Sequence, residues 1–298
     1  MGSCFSSKQH QKRLEDPAKE VVLLNHNGDI TEVGAVIGRS FSGTVKTDPE
    51  WSIHWALGPE LSDFEDPRRL ELVTTIMTKF VAAPWIKQGL CYGAYYEGKL
   101  AAVNLSGRFS NAKDAALENC AALSTMCLTG CSIACSCYCG NPKRYFPLLG
   151  KDKDFMKNIR PKMNKRFELA DKAMKDFHKM YASGPHWYTF IMATDPSAQG
   201  KSLCGKLMRF ITREADADGL PCYLETSGLR NTKIYARFGY EVVGQKTLEY
   251  EGHRFEDFFA MVRPAAATTS KAPAAPVTPT TTDDPTTPTS PTDWGRTR

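Results

Sequence analysis

Apolar positions along this chain recur at helical spacing in some stretches and at strand spacing in others. Residues 21–40, "VVLLNHNGDITEVGAVIGRS", read as a short strand running into a helix. In "DPRRLELVTTIMTKFVAAPW" the apolar residues recur at three and four, and Pro67 stands where the first helical turn tolerates it. "LCYGAYYEGKLAAVNL" holds two apolar runs around Glu97-Gly98, the pattern of a β-hairpin. Over residues 161–181, Met163, Phe167, Ala170, Met174, Phe177 and Tyr181 follow at four, three, four, three and four, an amphipathic helix. Its basic face is read either as solvated surface or as a face for anionic lipid. Residues 187–194, "WYTFIMAT", read as a buried strand, with a helix around residues 203–217.

The pattern breaks at residues 119–139, "NCAALSTMCLTGCSIACSCYC", which hold no charged residue. Cys120, Cys127, Cys131, Cys135 and Cys139 are spaced seven, four, four and four, one drifting stripe on a helix. Three readings stay open: a buried helix of small side chains, acylated thiols against a membrane, or a metal site on Cys135, Cys137 and Cys139. The Ser, Thr, Gly and Asn content argues against a transmembrane span.

Composition changes this picture little. The chain has 298 residues, 42% hydrophobic and 24% charged, ordinary for a soluble globular protein. A net charge of +5 without an aromatic-interleaved basic motif gives no nucleic-acid partner. Ten cysteines without a disulfide-framework spacing, and no apolar leader, fit a reducing cytosolic setting.

The ends are distinctive. "MGSCFSSK" presents Gly2 and Ser6 in the N-myristoylation pattern, with Cys4 placed for S-palmitoylation. One acyl chain binds membranes weakly, so the second signal matters, and Lys8, Lys12 and Arg13 add attraction to anionic lipid. The expectation is a lipid anchor on the cytoplasmic face of a membrane, the plasma membrane foremost. After Pro264 the composition turns to Thr, Pro, Ala and Ser, a segment too polar to offset its ordering entropy. The expected organisation is an arm at 1–20, a domain at 21–263 with an insertion at 111–182, and a disordered tail at 264–298.

The chemistry concentrates at "DPSAQGKSLCGKLM", residues 195–208, between the strand and the helix. Such a junction presents backbone N–H groups to phosphate. In one register, residues 200–206 read G-x-x-x-x-G-K, the start of a Walker A loop. The hydroxyl that should ligate Mg²⁺ is replaced by Leu207, and no metal site is expected. In the other register, "ATDPSAQGKSL", "LPCYLETS" and "RNTKIYARFGYEVVG" together resemble the pyrophosphate loop, fifth strand and following helix-strand of the Gcn5-related N-acetyltransferase superfamily. The match runs from about His186 to Gly244, and the first half of the chain fits less specifically.

That resemblance implies an α/β fold, a twisted mixed sheet with helices on both faces, and acetyl-CoA as donor by direct transfer to an amine acceptor, with a small amine, a polyamine and a protein amine all left open. It assigns the pyrophosphate to the backbone at Gln199, Gly200, Lys201, Ser202, Leu203 and Cys204, with Thr194 at the strand end and Asn231 on the coenzyme A arm. The family's glycines fall on Ser202 and Cys204 here. It implies an oxyanion donor from a strand N–H near the end of "FIMAT", and Tyr235 as proton donor to the departing thiolate. Glu225 and His186 are the candidate bases, Glu225 preferred because its carboxylate also attracts a cationic amine. Two other functions are weighed: a catalytically weak acyl-CoA-binding protein, and a membrane adaptor acting through its arm, basic stretch and tail.

Overall fold

The structure is a computed structural model that describes residues 21–110 and 147–266. The acylation pattern at Gly2 and Cys4, the cysteine stripe and the Thr/Pro tail lie outside the described residues.

Seven strands form one sheet in the order β1-β2-β3-β4-β5-β7-β6. They are β1 (Val22–Leu23), β2 (Cys91–Tyr96), β3 (Lys99–Phe109), β4 (His186–Thr194), β5 (Cys222–Ser227), β6 (Glu241–Tyr250) and β7 (His253–Arg263). Every neighbouring pair is antiparallel except β4 and β5. The two hairpins β2–β3 and β6–β7 turn at Glu97-Gly98 and Glu251-Gly252, all four residues at positive φ as a two-residue I′ turn demands.

One face of the sheet carries α1 (Asp29–Ser42), α2 (Trp51–Leu57), α3 (Pro67–Ile76), α4 (Ala83–Lys87) and α5 (Arg160–Tyr181). The other carries α6 (Leu203–Asp218) and α7 (Leu229–Ala236). Alternation along the strands sorts the side chains: on β5, Cys222 and Leu224 meet α6 and α7, whereas Tyr223 faces the first layer. α3 and α4 are joined through a wide π segment, Met77–Ala82, just before Pro84, whose missing N–H disrupts the regular ladder. α1 lies close against this unit. A Cβ on Gly34 or Gly38 would fall 2.0 or 2.2 Å from the hydroxyl oxygen of Thr78 or Thr74, so only glycine fits there.

The amphipathic helix expected over 161–181 is α5. Met163, Ala173 and Phe177 are buried against the sheet, and Phe177 stacks on Phe258 at 5.7 Å. Three of its lysines are paired within the fold: Lys162 with Glu251, Lys165 with Glu168, and Lys175 with Asp171. Arg166 is buried and reaches Glu60 at 3.2 Å. Among the described residues no helix is long and apolar enough to cross a membrane.

Candidate active site

β4 and β5 pair from Trp187↔Cys222 to Thr189↔Leu224 and then part. Beyond that point β5 keeps its β7 partner as far as Ser227↔Phe258, and β4 keeps β3 as far as Ala102↔Thr194. The last residues of both strands therefore border a gap, and a cleft of about 770 Å³ runs through it. Backbone N–H groups of β4 past Thr189 that point toward this gap have no β5 partner.

On the α6 side the cleft is closed by the loop at 199–204. Asp195 fixes its approach, accepting from the N–H and hydroxyl of Ser197 at 3.0 and 2.7 Å and pairing with Arg39 at 2.7 Å. These contacts hold the Asp195 carboxyl below the usual carboxylate range, although its burial opposes them. Gly200 has φ +79° and Ser202 φ +61° with ψ 14°, so the chain passes twice through left-handed backbone. The earliest bond of α6 runs from the Lys206 N–H to the Ser202 carbonyl at 3.0 Å. The N–H groups of Leu203, Cys204 and Gly205 are thus the open donors of a helix start, and the helix dipole adds partial positive charge. Arg209 stands beside this helix start, its guanidinium 3.2 Å from where a Cβ on Gly205 would lie, and Arg237 also lines the cleft.

Thr194, Gln199, Gly200, Ser202, Leu203, Cys204, Asn231, Tyr235 and Glu225 all line the one cleft. Lys201 is not part of that lining; its ammonium lies 5.5 Å from the Tyr96 ring centre. Asn231 stands in the first turn of α7, and its amide donates to the Ser227 carbonyl at 2.9 Å rather than capping from outside the helix. Leu207, the residue at the Mg²⁺ position of a Walker loop, is completely buried. Among the described residues no group of His, Cys, Asp and Glu is arranged to hold a metal.

Tyr235 is nearly enclosed between the sheet and α7, at 9% exposure. Burial, with the neighbouring Cys204 and Glu50, pushes its phenol well above the ordinary value, so it stays protonated and able to donate. Glu225 is held by two phenols: Tyr188 donates to Oε2 and Tyr223 to Oε1, each at 2.8 Å. Burial raises its carboxyl to about 7, against the opposing pull of both phenols. A carboxyl at that value exchanges protons near neutrality.

His186 is not at the cleft. Its ring lies beside His178, with their Nε2 atoms 2.8 Å apart, and its Nδ1 faces the Gly184 carbonyl at 2.7 Å. Burial lowers His178 to about 3 and also lowers His186, which leaves both imidazoles neutral at physiological pH. Sequence reading missed the Tyr188–Tyr223 clamp and the role of Glu50. Glu50 caps α2, accepting from the Ile53 N–H at 2.6 Å and the Ser52 hydroxyl at 2.7 Å, and it also accepts a short hydrogen bond from Ser227 at the end of β5. The strand period could have shown part of this, because Tyr223 and Glu225 stand two apart on one face.

Comparison with known proteins gives short or distant likenesses, and no family model matches. An uncharacterised N-acetyltransferase of Schizosaccharomyces pombe is 41% identical over 54 residues, 18% of this chain and 22% of that protein. A mycothiol acetyltransferase of Brachybacterium faecium is 34% identical over 59 residues, 19% and 18% of the two chains. The chain thus spans about a fifth of these relatives. Among solved structures, a Drosophila melanogaster polyamine N-acetyltransferase is 12% identical with TM-score 0.46, covering 81% of this chain and 98% of its own. Arylalkylamine N-acetyltransferase 2 of Aedes aegypti is 13% identical with TM-score 0.46, covering 83% and 100%. The topology defines the class: a mixed α/β sheet whose one parallel pair diverges at a helix-capped loop. It is similar to the fold that the resemblance of the loop, fifth strand and following helix implied, a twisted mixed sheet with helices on both faces.

Proposed function

We propose that this protein is an N-acetyltransferase that moves an acetyl group from acetyl-CoA to a primary amine by direct transfer. The observation that carries the reading is one cleft between diverging strands that is lined both by the loop with its open N–H donors and by Glu225. The residues present fit the donor. A Cβ on Gly200 would meet nothing within 4 Å, so open space adjoins the loop, and Arg209 and Arg237 supply charge for phosphates.

Acetyl-CoA, when bound, supplies the activated acyl thioester. The N–H groups at 203–205 and the α6 dipole hold its pyrophosphate, and Asn231 and Thr194 flank its arm. Unpartnered β4 N–H groups stabilise negative charge on the acyl oxygen. Glu225 takes one proton from the acceptor ammonium, the Tyr235 hydroxyl gives one to the departing sulfur, and the second nitrogen proton, lost as the amide forms, restores the phenol. Calorimetric titration with acetyl-CoA, ADP and Mg-ATP tests the donor site, and release of free CoA thiol with an added amine tests transfer. Micromolar binding of acetyl-CoA with amine-dependent thiol release is the expected result. Failure to bind acetyl-CoA removes the reading.

The polyamine and arylalkylamine acetyltransferases named above act on amines, which agrees with an amine acceptor. The sequence at Gly2 and Cys4 supports a second element of the proposal, a lipid anchor on the cytoplasmic face of a membrane. Incorporation of an alkyne myristate that is lost in Gly2→Ala checks it; equal labelling of both chains removes the anchor.

A further inference from the structure

Two histidines are enclosed on the α5 side of the sheet, outside the cleft lining, and take no part in the steps above. His178 on α5 and His186 at the start of β4 are 4% and 2% exposed. Their partners assign the tautomers. The Gly184 carbonyl only accepts, so His186 Nδ1, 2.7 Å from it, carries a hydrogen. In a neutral ring His186 Nε2 is then bare, and it accepts from His178 Nε2–H at 2.8 Å. Burial keeps both rings neutral, so this arrangement persists at physiological pH. A backbone carbonyl thus fixes, through hydrogen bonds in series, which way the His178 ring faces.

That ring faces the pair of phenols on Glu225. Its centre lies 4.6 Å from that of Tyr188, edge to face, and 4.8 Å from that of Tyr223. The two phenol rings stack on each other at 5.7 Å. Strand alternation explains the grouping: His186 and Tyr188 stand two apart on β4, Tyr223 and Glu225 two apart on β5, and the strands are still paired at Tyr188↔Tyr223. The other titratable groups near the clamp are Tyr181 and Asp171 on α5 and Glu50 before α2, while β7 sets Ala260 opposite Glu225. A phenol keeps its hydroxyl on a carboxylate oxygen only while its ring is held, because the bond weakens steeply with distance and angle.

We propose that His178, held by His186, is a positioning residue: it keeps the Tyr188 and Tyr223 hydroxyls on Glu225 and thereby sets how tightly that carboxyl holds its proton. The catalytic meaning of this brace rests on the N-acetyltransferase reading, but the brace itself does not.

The test titrates the Glu225 carboxyl directly, through the side-chain carboxyl-carbon NMR signal of the isotope-labelled full chain that Glu225→Gln removes. The parent midpoint is expected at about 7. His178→Leu keeps a side chain of similar bulk but removes the ring and the donor, and the midpoint should rise to about 8, as loss of one phenol bond would give. His178→Gln offers an amide donor to His186 again and should bring the midpoint back toward the parent value. A midpoint that stays or falls in folded His178→Leu overturns the inference, and so does a glutamine variant that behaves as the leucine one. Where His178→Leu does not fold, His186→Leu decides by the same criterion, since it leaves α5 intact and removes the acceptor. No turnover is needed for this result. The rising limb of kcat/KM in the same variants tests the transferase reading separately: a limb that follows the midpoint supports both, and a limb that stays fixed while the midpoint moves sustains the brace and removes Glu225 as base.

Discussion

Replacing Tyr188 by Phe removes one oxygen atom from the structure and should move the pH dependence of acetyl transfer. The phenol donates to Glu225 Oε2 at 2.8 Å, and Tyr223 mirrors it on Oε1. Both bonds favour the ionised carboxylate, and they oppose the burial that raises the carboxyl to about 7. A hydrogen bond to a charged group contributes about 1.5–3 kcal/mol, and part of that is shared by the protonated form. Taking about 1.4 kcal/mol as the differential loss gives a rise of about one pKa unit. The rising limb of kcat/KM should then shift from about pH 7 to about pH 8. At pH 7 the ionised fraction falls from about one half to about one tenth, roughly a fivefold loss of rate that is recovered by pH 9. Tyr223→Phe should do the same, and Glu225→Gln should remove the limb altogether. The assay is thiol release measured from pH 5.5 to 9.5 at subsaturating amine. A limb that stays fixed in both phenylalanine variants would show that it reports the substrate ammonium or another group, and Glu225 would lose its role as base.

Three further outcomes are expected. Tyr235→Phe should lower kcat by about 10²-fold, the lower range for a positioned proton donor, while acetyl-CoA binding measured by calorimetry stays within a factor of two or so. Ser202→Gly removes left-handed strain worth about 1–2 kcal/mol but loosens the unfolded chain by about 0.4–1 kcal/mol, so the melting temperature should rise by only a few degrees. Gly200→Ala adds left-handed strain without a clash, since a Cβ there meets nothing within 4 Å, and stiffens the unfolded chain by about 0.4–1 kcal/mol, so it should lower the melting temperature by a comparable amount. His178 and His186 are neutral in the fold and protonate in the unfolded chain below about pH 6.5, so acidification from 6.5 toward 3 should cost up to about 1.4 kcal/mol per pH unit at His178, and His186, lowered by burial as well, adds a loss of the same sign below 6.5. Glu225 acts oppositely, gaining its proton in the fold between pH 7 and 4.5, so urea unfolding should show a net loss of stability on acidification that is shallower than two histidines alone would give.

The elements with a strong period were legible in the sequence. α5, β4, α6 and the β2–β3 hairpin occupy the stretches where apolar spacing put them. The β6–β7 hairpin carries the same Glu-Gly turn as β2–β3, yet only the first was read, because β6 exposes Val242 and Val243 and its apolar alternation is blurred. α2 is seven residues long and depends on tertiary contacts: its Trp51 N–H donates to the Ser227 hydroxyl at 2.9 Å, and Glu50 accepts from the same serine. No local pattern announces a contact between residues so far apart in the chain. The cleft residues were readable as a motif, but their chemistry was not. Glu225 could be nominated from its place at a strand end. That two tyrosines hold it follows from the pairing of β4 with β5, which sets Tyr188 beside Tyr223, and that His186 turns to His178 instead follows from the packing of α5 on the sheet.

The departures at Ser202 and Cys204 have different consequences, and neither closes the donor loop. At Ser202 the requirement is backbone shape. Its φ of +61° is one that glycine adopts freely and serine adopts at modest cost, so the loop keeps its course while the chain carries some strain. At Cys204 the backbone is ordinary helix and the side chain decides. It packs with the second-face core formed by α6 and α7, where Tyr235 also lies. Burial lifts the thiol to about 11, so it is uncharged at neutral pH and does not repel a phosphate. The N–H groups of Leu203, Cys204 and Gly205 remain the open donors of the helix start. Its core contacts make Cys204 part of the packing that positions Tyr235, which links the loop that holds the donor to the phenol that protonates the leaving sulfur.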